Sequence, residues 1–152
     1  MQRVFPEEYK KYKTAFEKAC WTCDEGCWIG RSVVWKCQVD LHLDGGDGVL
    51  GICAILNCGF YVPANASHLG TSAVYPDLNM AFAYLPGEVL MFRSGFLFHA
   101  VMPWLPAPQT SGDSLVPGRI AVVFFTPENL LNDLQTAGGQ TANRLAFARY
   151  DL

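Results

Sequence analysis

Apolar and polar residues alternate from Ser32 to Asp44, and side chains two apart on an extended strand share a face. Val33, Trp35, Cys37, Val39, Leu41 and Leu43 fall on one side, the side expected to pack on a core. Lys36, Gln38, Asp40, His42 and Asp44 fall on the other, so a strand here delivers His42 and Asp44 together on a polar face that packing alone does not require. Upstream, Tyr9, Tyr12 and Phe16 recur at helical spacing behind Glu7 and Glu8, which predicts a helix over Pro6 to Cys20 lying across a sheet. Trp21 to Arg31 reads as an irregular connection.

Further elements follow from the same patterning. Gly45-Gly46-Asp47-Gly48 predicts a turn that can use positive φ, and Val49 to Leu56 is an apolar run expected to form a buried strand. Pro63 to Ser72 is small and polar, a loop and a candidate substrate lid. Met80 to Leu85, Val89 to Phe92 and Phe96 to Val101 predict three short strands in hairpins or a barrel, divided by Pro86-Gly87-Glu88 and Arg93-Ser94-Gly95. Pro103 to Gly118, with four prolines, reads as a loop. Arg119 to Phe125 predicts a strand, and Thr126-Pro127-Glu128 supplies an N-cap, a first-turn proline and a first-turn acid for a short helix through Leu134.

With 152 residues, 51% hydrophobic and only 16% charged, the chain fits one mainly β (α+β) domain and excludes a disordered one. A net charge of −3 gives no general attraction to nucleic acid or anionic membrane, so a polyanion would need a local basic patch. No signal-peptide core and no apolar stretch near the roughly 20 residues of a membrane span is visible, which predicts an intracellular protein without a membrane partner.

The chemistry concentrates in His42 and Asp44, with His99 and Arg119 downstream. Two imidazoles and a carboxylate can hold one face of an iron(II) ion and leave the opposite positions open, the arrangement of an oxygenase centre. The HxD alone is weak, since three His and eight Asp produce one by chance in roughly one shuffle in six. His99 shares a face with Leu97 and Val101, where a satisfied core histidine is the plain alternative. Arg119 opens an apolar strand and needs an anionic partner, either a structural carboxylate such as Asp113 or a bound dicarboxylate. Cys20, Cys23, Cys27 and Cys37 admit a structural zinc site, but the third and fourth do not form a CxxC, and reduced thiols in an intracellular domain are the preferred reading.

The order of a helix, about eight short strands, HxD, a late His and then Arg resembles the 2-oxoglutarate/iron(II) dioxygenases. Val39-Asp40-Leu41-His42-Leu43-Asp44-Gly45-Gly46-Asp47-Gly48, Leu85-Pro86-Gly87-Glu88-Val89-Leu90-Met91-Phe92 and Phe98-His99-Ala100-Val101 look most like the TET/JBP-type branch, which includes fungal proteins that oxidise methylated bases. The resemblance covers roughly residues 33 to 127 of a single catalytic domain. It implies a double-stranded β-helix (jelly-roll, cupin-like) barrel, with His42, Asp44 and His99 as catalytic iron ligands. It also implies that Arg119 pairs with the distal carboxylate of the 2-oxoglutarate cosubstrate, and that dioxygen is consumed. Many members carry a hydroxyl residue two positions after the arginine; this chain has Ala121.

Oxidation of methylated bases, and hence DNA demethylation and a nuclear site of action, is the function so implied, with DNA or RNA as partner. A base in a duplex must be flipped out at a cost of a few kcal/mol, and only Arg31, Lys36, Arg93, Phe60 and Tyr61 stand out as possible contacts. A hydroxylase of a prolyl or lysyl side chain and a non-catalytic jelly-roll binding module are the alternatives. The oligomeric state is not legible.

Overall fold

The computed structural model describes residues 1–19, 25–64, 72–109 and 117–136. In chain order the elements are α1 (Pro6–Lys18), β1 (Gly30–Trp35), β2 (Cys53–Asn57), β3 (Tyr61–Pro63), β4 (Ser72–Tyr75), β5 (Met80–Ala83), β6 (Val89–Phe92), β7 (Ala100–Val101), β8 (Trp104–Pro106), β9 (Ile120–Phe125) and α2 (Glu128–Thr136). The protein is mainly β, with several antiparallel sheets and two helices, an α+β arrangement. Four strands form one sheet in the order β1-β9-β2-β6, three form a second in the order β5-β4-β7, and β3 pairs with β8. The described ladders do not run round into a closed barrel.

Helix α1 begins as its sequence requires, with Pro6 at the first turn, Glu7 and Glu8 beside the positive end of the helix dipole and Lys18 near the negative end. Its buried stripe of Tyr12, Ala15 and Phe16 does not lie across a sheet as expected. It packs on Leu131 and Leu134 of α2, with Cys27 and Ile29 filling the seam. The reason is complementarity, because α2 offers an apolar stripe at i and i+3 that matches the one on α1. The Tyr12 hydroxyl ties this helical layer to the first sheet by accepting the Ile52 N–H at 2.9 Å, one residue before β2. Thr126, expected to cap α2, instead accepts a long hydrogen bond from the Ile29 N–H at 3.4 Å, while the Glu128 N–H donates to Gly46 O.

The segment carrying His42 is not one continuous strand. After Trp35 the chain takes a left-handed conformation at Lys36 (φ +50°), whose N–H donates to Arg119 O at 2.7 Å. It then leaves the first sheet and joins the second, where the Val101 N–H donates to Val39 O and His42 pairs with His99. The apolar face also points the other way. Val33 and Trp35 are 62% and 58% exposed, Leu41, Leu43 and Cys37 are exposed too, and Ser32, itself exposed, and the half-buried Val34 border the interior. That interior is a cavity, so the alternation marks two usable faces without saying which is wet.

Other boundaries move for identifiable reasons. Val49 and Leu50 are exposed in a turn, and β2 starts only at Cys53. Within Phe96 to Val101 only Ala100 and Val101 are strand, because Phe96 and Leu97 fold back onto Arg93 O. The three predicted strands β5, β6 and β7 form no hairpins with one another: β5 and β7 flank β4, and β6 pairs with β2 in the other sheet. The Pro-rich loop contains β8, which its prolines permit on an outer pair. Among the described glycines, positive φ occurs at Gly87 and Gly118, not at Gly45, Gly46 or Gly48. The candidate lid (residues 65–71), Cys20, Cys23 and Asp113 lie outside the described residues.

Candidate metal centre and its cavity

The two sheets face each other across a cavity of about 440 Å³, within the range of small-molecule sites. The first sheet lines it with Ser32 and Val34 of β1, Ile55 of β2, Leu90 and Phe92 of β6, and Val123 and Phe125 of β9. The second contributes Ala73 and Tyr75 of β4 and Ala100 and Val101 of β7. His42, Asp44, His99 and Arg119 all line this one cavity, although 77 positions separate the first from the last (119 − 42).

His42 and His99 are brought together by backbone pairing. Each donates its N–H to the other's carbonyl, at 3.1 and 3.0 Å, so their side chains stand on the same face with ring centres 4.2 Å apart. Asp44 is placed by its own N–H, which donates to Ser94 O at 3.0 Å. Its carboxylate lies 3.4 Å from His42 Nε2 and 3.8 Å from His99 Nε2. The three ligand atoms all lie within 4.8 Å of one another, and this is the one such group of His, Cys, Asp and Glu among the described residues.

The ring nitrogens turned away from Asp44 are engaged as metal-binding histidines require. His42 Nδ1 meets Asp40 O at 2.8 Å and His99 Nδ1 meets Leu97 O at 2.9 Å. A carbonyl can only accept, so each Nδ1 carries a proton, and a neutral ring would then direct its Nε2 lone pair toward Asp44. Two adjacent ligands at ~2.1 Å from one ion stand roughly 3 Å apart, so a cation would have to draw together atoms that now stand 3.4 Å, 3.8 Å and up to 4.8 Å from one another. Burial holds the pKa of His99 below its ordinary value, opposed by the Leu97 hydrogen bond, and His42 lowers it further. The neutral ring is the form that binds metal. His99 also sits in an aromatic frame, with Phe92 edge-on at 4.7 Å and Tyr75 stacked at 6.4 Å. Its other nitrogen, Nε2, faces the Asp44 carboxylate at 3.8 Å.

Arg119 forms the other end. It is 3% exposed, precedes β9 and donates through Nη1 to Cys37 O at 3.2 Å, with a further side-chain hydrogen bond to Tyr61. Its Nε has no hydrogen-bond partner, and no carboxylate reaches ion-pair distance, among the described residues. Desolvation lowers the Arg119 pKa, opposed by the neighbouring Tyr61 and Tyr84 phenols. A buried guanidinium with an orphan donor at a cavity wall fits an anionic ligand, and a carboxylate matches its fork.

Sequence reasoning missed Ser94, Asp47 and the aromatic residues Tyr75, Tyr84 and Phe92. Asp47 was visible within the HxD segment, but nothing local announces that Ser94 approaches it. Of the cysteines considered for zinc, Cys27 is buried with its thiol 3.6 Å from Met1 Sδ, and Cys37 is exposed with its thiol on Gln38 O. The residues considered for nucleic-acid contact are engaged within the chain. Arg93 pairs with Glu8 at 2.8 Å and donates to Leu50 O, Arg31 lies over Phe124, Lys36 over Trp35, and Tyr61 is buried.

Comparison with protein-family models and with curated proteins returns no match to this chain.

Proposed function

We propose that this chain is an iron(II)/2-oxoglutarate-dependent dioxygenase on a double-stranded β-helix scaffold. One observation carries the reading: two histidine Nε2 atoms and a carboxylate converge on the same cavity as a buried arginine that lacks an anionic partner among the described residues. His42, Asp44 and His99 would hold the metal through Nε2, a carboxylate oxygen and Nε2. Their backbone-bonded Nδ1 atoms fix the tautomer before metal arrives, which spares the reorganisation a free ring would need. Arg119 would clamp the distal carboxylate of 2-oxoglutarate, orienting the 2-oxo acid end toward the triad. Tyr75, Phe92, Val123 and Phe125 line the space between with apolar and aromatic surface.

Bound iron(II) supplies the oxidation, in which dioxygen converts 2-oxoglutarate to succinate and carbon dioxide and leaves one oxygen atom for a substrate C–H bond. The substrate proposed is a methylated base in nucleic acid, from the TET/JBP-like text around His42 and His99. A prolyl or lysyl side chain is the second reading, favoured by the internal engagement of Arg31, Lys36 and Arg93. Incubation with iron(II), 2-oxoglutarate and either methylated oligonucleotides or peptides, read by mass spectrometry, separates them. Succinate that appears without iron, or that persists in Asp44→Ala, would sink both. Calorimetry showing neither metal nor 2-oxoglutarate binding would leave a non-catalytic jelly-roll module.

A further inference from the structure

We infer that Asp47 and Ser94 form a positioning pair that sets the Asp44 carboxylate against His99; the inference rests on the metal-centre reading above. Two loops meet here, one carrying Asp44 and the other preceding the His99 segment. Ser94 is fully buried and serves both: its carbonyl accepts the Asp44 N–H at 3.0 Å, and its hydroxyl donates to Asp47 Oδ2 at 2.5 Å. The Asp47 N–H closes the loop on Asp44 O at 3.0 Å. Asp44, Asp47 and Ser94 therefore form a closed ring of hydrogen bonds joining the two loops.

Packing confirms that the approach is tight. A Cβ on Gly95 would lie 2.6 Å from Asp47 O, so a side chain there would drive the loops apart. The same turn is tied to the far side of the cavity, because Asp47 bridges to Pro127 and the Glu128 N–H donates to Gly46 O. Asp47 lines the cavity but does not belong to the group that could hold the metal. It acts through Asp44, whose carbonyl accepts the Asp47 N–H while its own N–H is held by Ser94 O.

His42 and His99 are locked to each other by their own pairing, so the register of the carboxylate against that pair is what Asp47 and Ser94 decide. Loss of a partner that orients a ligand commonly costs 10–100-fold in metal affinity. The test is a cobalt(II) titration of the full chain followed by visible absorption, which reports affinity and ligand geometry together. Asp47→Ala and Ser94→Ala should each weaken cobalt binding by about 10–100-fold and change the band shape, with the thermal midpoint recorded alongside. Asp47→Asn, whose amide oxygen still accepts from Ser94, should bind within about threefold of the parent and restore its spectrum.

Parental affinity and spectrum in both alanine variants would overturn the pairing, and so would an Asp47→Asn variant as weak as Asp47→Ala. If Asp47→Ala does not fold, Ser94→Ala and Asp47→Asn decide. A parent that binds no cobalt at all defeats the metal-centre reading itself, which is a separate failure.

Discussion

The two ends of the cavity are built on opposite plans. At the metal end, His42 and Asp44 are part-exposed, every ring nitrogen has an assigned role, and the geometry is held by backbone pairing and the Ser94 ring of hydrogen bonds. At the other end, Arg119 is almost wholly buried, and its Nε has no hydrogen-bond partner among the described residues. On the proposed reading, the first end has its three ligands on one wall and would take a cation that draws them together. The second is unfinished until an anion arrives, because a desolvated guanidinium costs free energy that a carboxylate would offset. On the same proposed reading, the first end takes a metal and the second the far carboxylate of a chelating acid that spans the gap.

That contrast can be broken most directly at the triad. His42→Ala and Asp44→Ala should each lower metal affinity by more than about 100-fold, beyond the loss typical of outer partners, and abolish succinate formation. Retained affinity in a titration of either variant would remove the metal end altogether. Arg119→Met should sharpen the difference: 2-oxoglutarate affinity measured by calorimetry on the metal-loaded protein falls about 10–150-fold, the worth of roughly 1.5–3 kcal/mol for a charged hydrogen bond. Metal affinity should stay within about threefold, and a parallel loss of both would mean the ends are not separate.

A smaller effect concerns the core cluster that Cys53 shares with Tyr75 and Phe92, where burial pushes the Cys53 thiol from 9.0 up to about 12. In the unfolded chain that thiol ionises near its ordinary value, so the unfolded state releases its proton first. Stability from this group is complete below pH 9 and drains away as pH rises toward 12, by at most about 1.4 kcal/mol per unit. Thermal midpoints taken across that window should fall less steeply in Cys53→Ala than in the parent, and equal slopes would disprove it. Smallest of all, Val33→Thr on the outer face of β1 should shift stability by no more than about 0.5 kcal/mol in a denaturant titration. A loss of 2 kcal/mol would restore the core role that the alternation first suggested.

Much of the candidate site was legible because its residue types are unusual where they stand. An HxD on a polar face, a lone histidine among apolar neighbours and an arginine opening an apolar strand each raise a question that local packing does not answer. The helices were legible too, since first-turn acids and apolar spacing are local properties. Strand partners were not. The tight turns at Pro86-Gly87-Glu88 and Arg93-Ser94-Gly95 suggested hairpins, yet the chain passes between sheets at each one, a choice made by distant strands. Side-chain period shows that β1 has two faces, and only the cavity between the sheets shows that Ser32 and Val34 look inward.

The amino-acid order by itself determined the helices, most of the strand positions and the four side chains with chemistry to perform, because each depends on propensity and period within a few residues. The tertiary structure decided which face of β1 lines the cavity, where the ligand segment changes sheets at Lys36, and that Ser94 closes on Asp47. Those outcomes depend on hydrogen bonds between residues 40 to 100 positions apart, such as Lys36 to Arg119 and Ser94 to Asp47, whose partners no local pattern names.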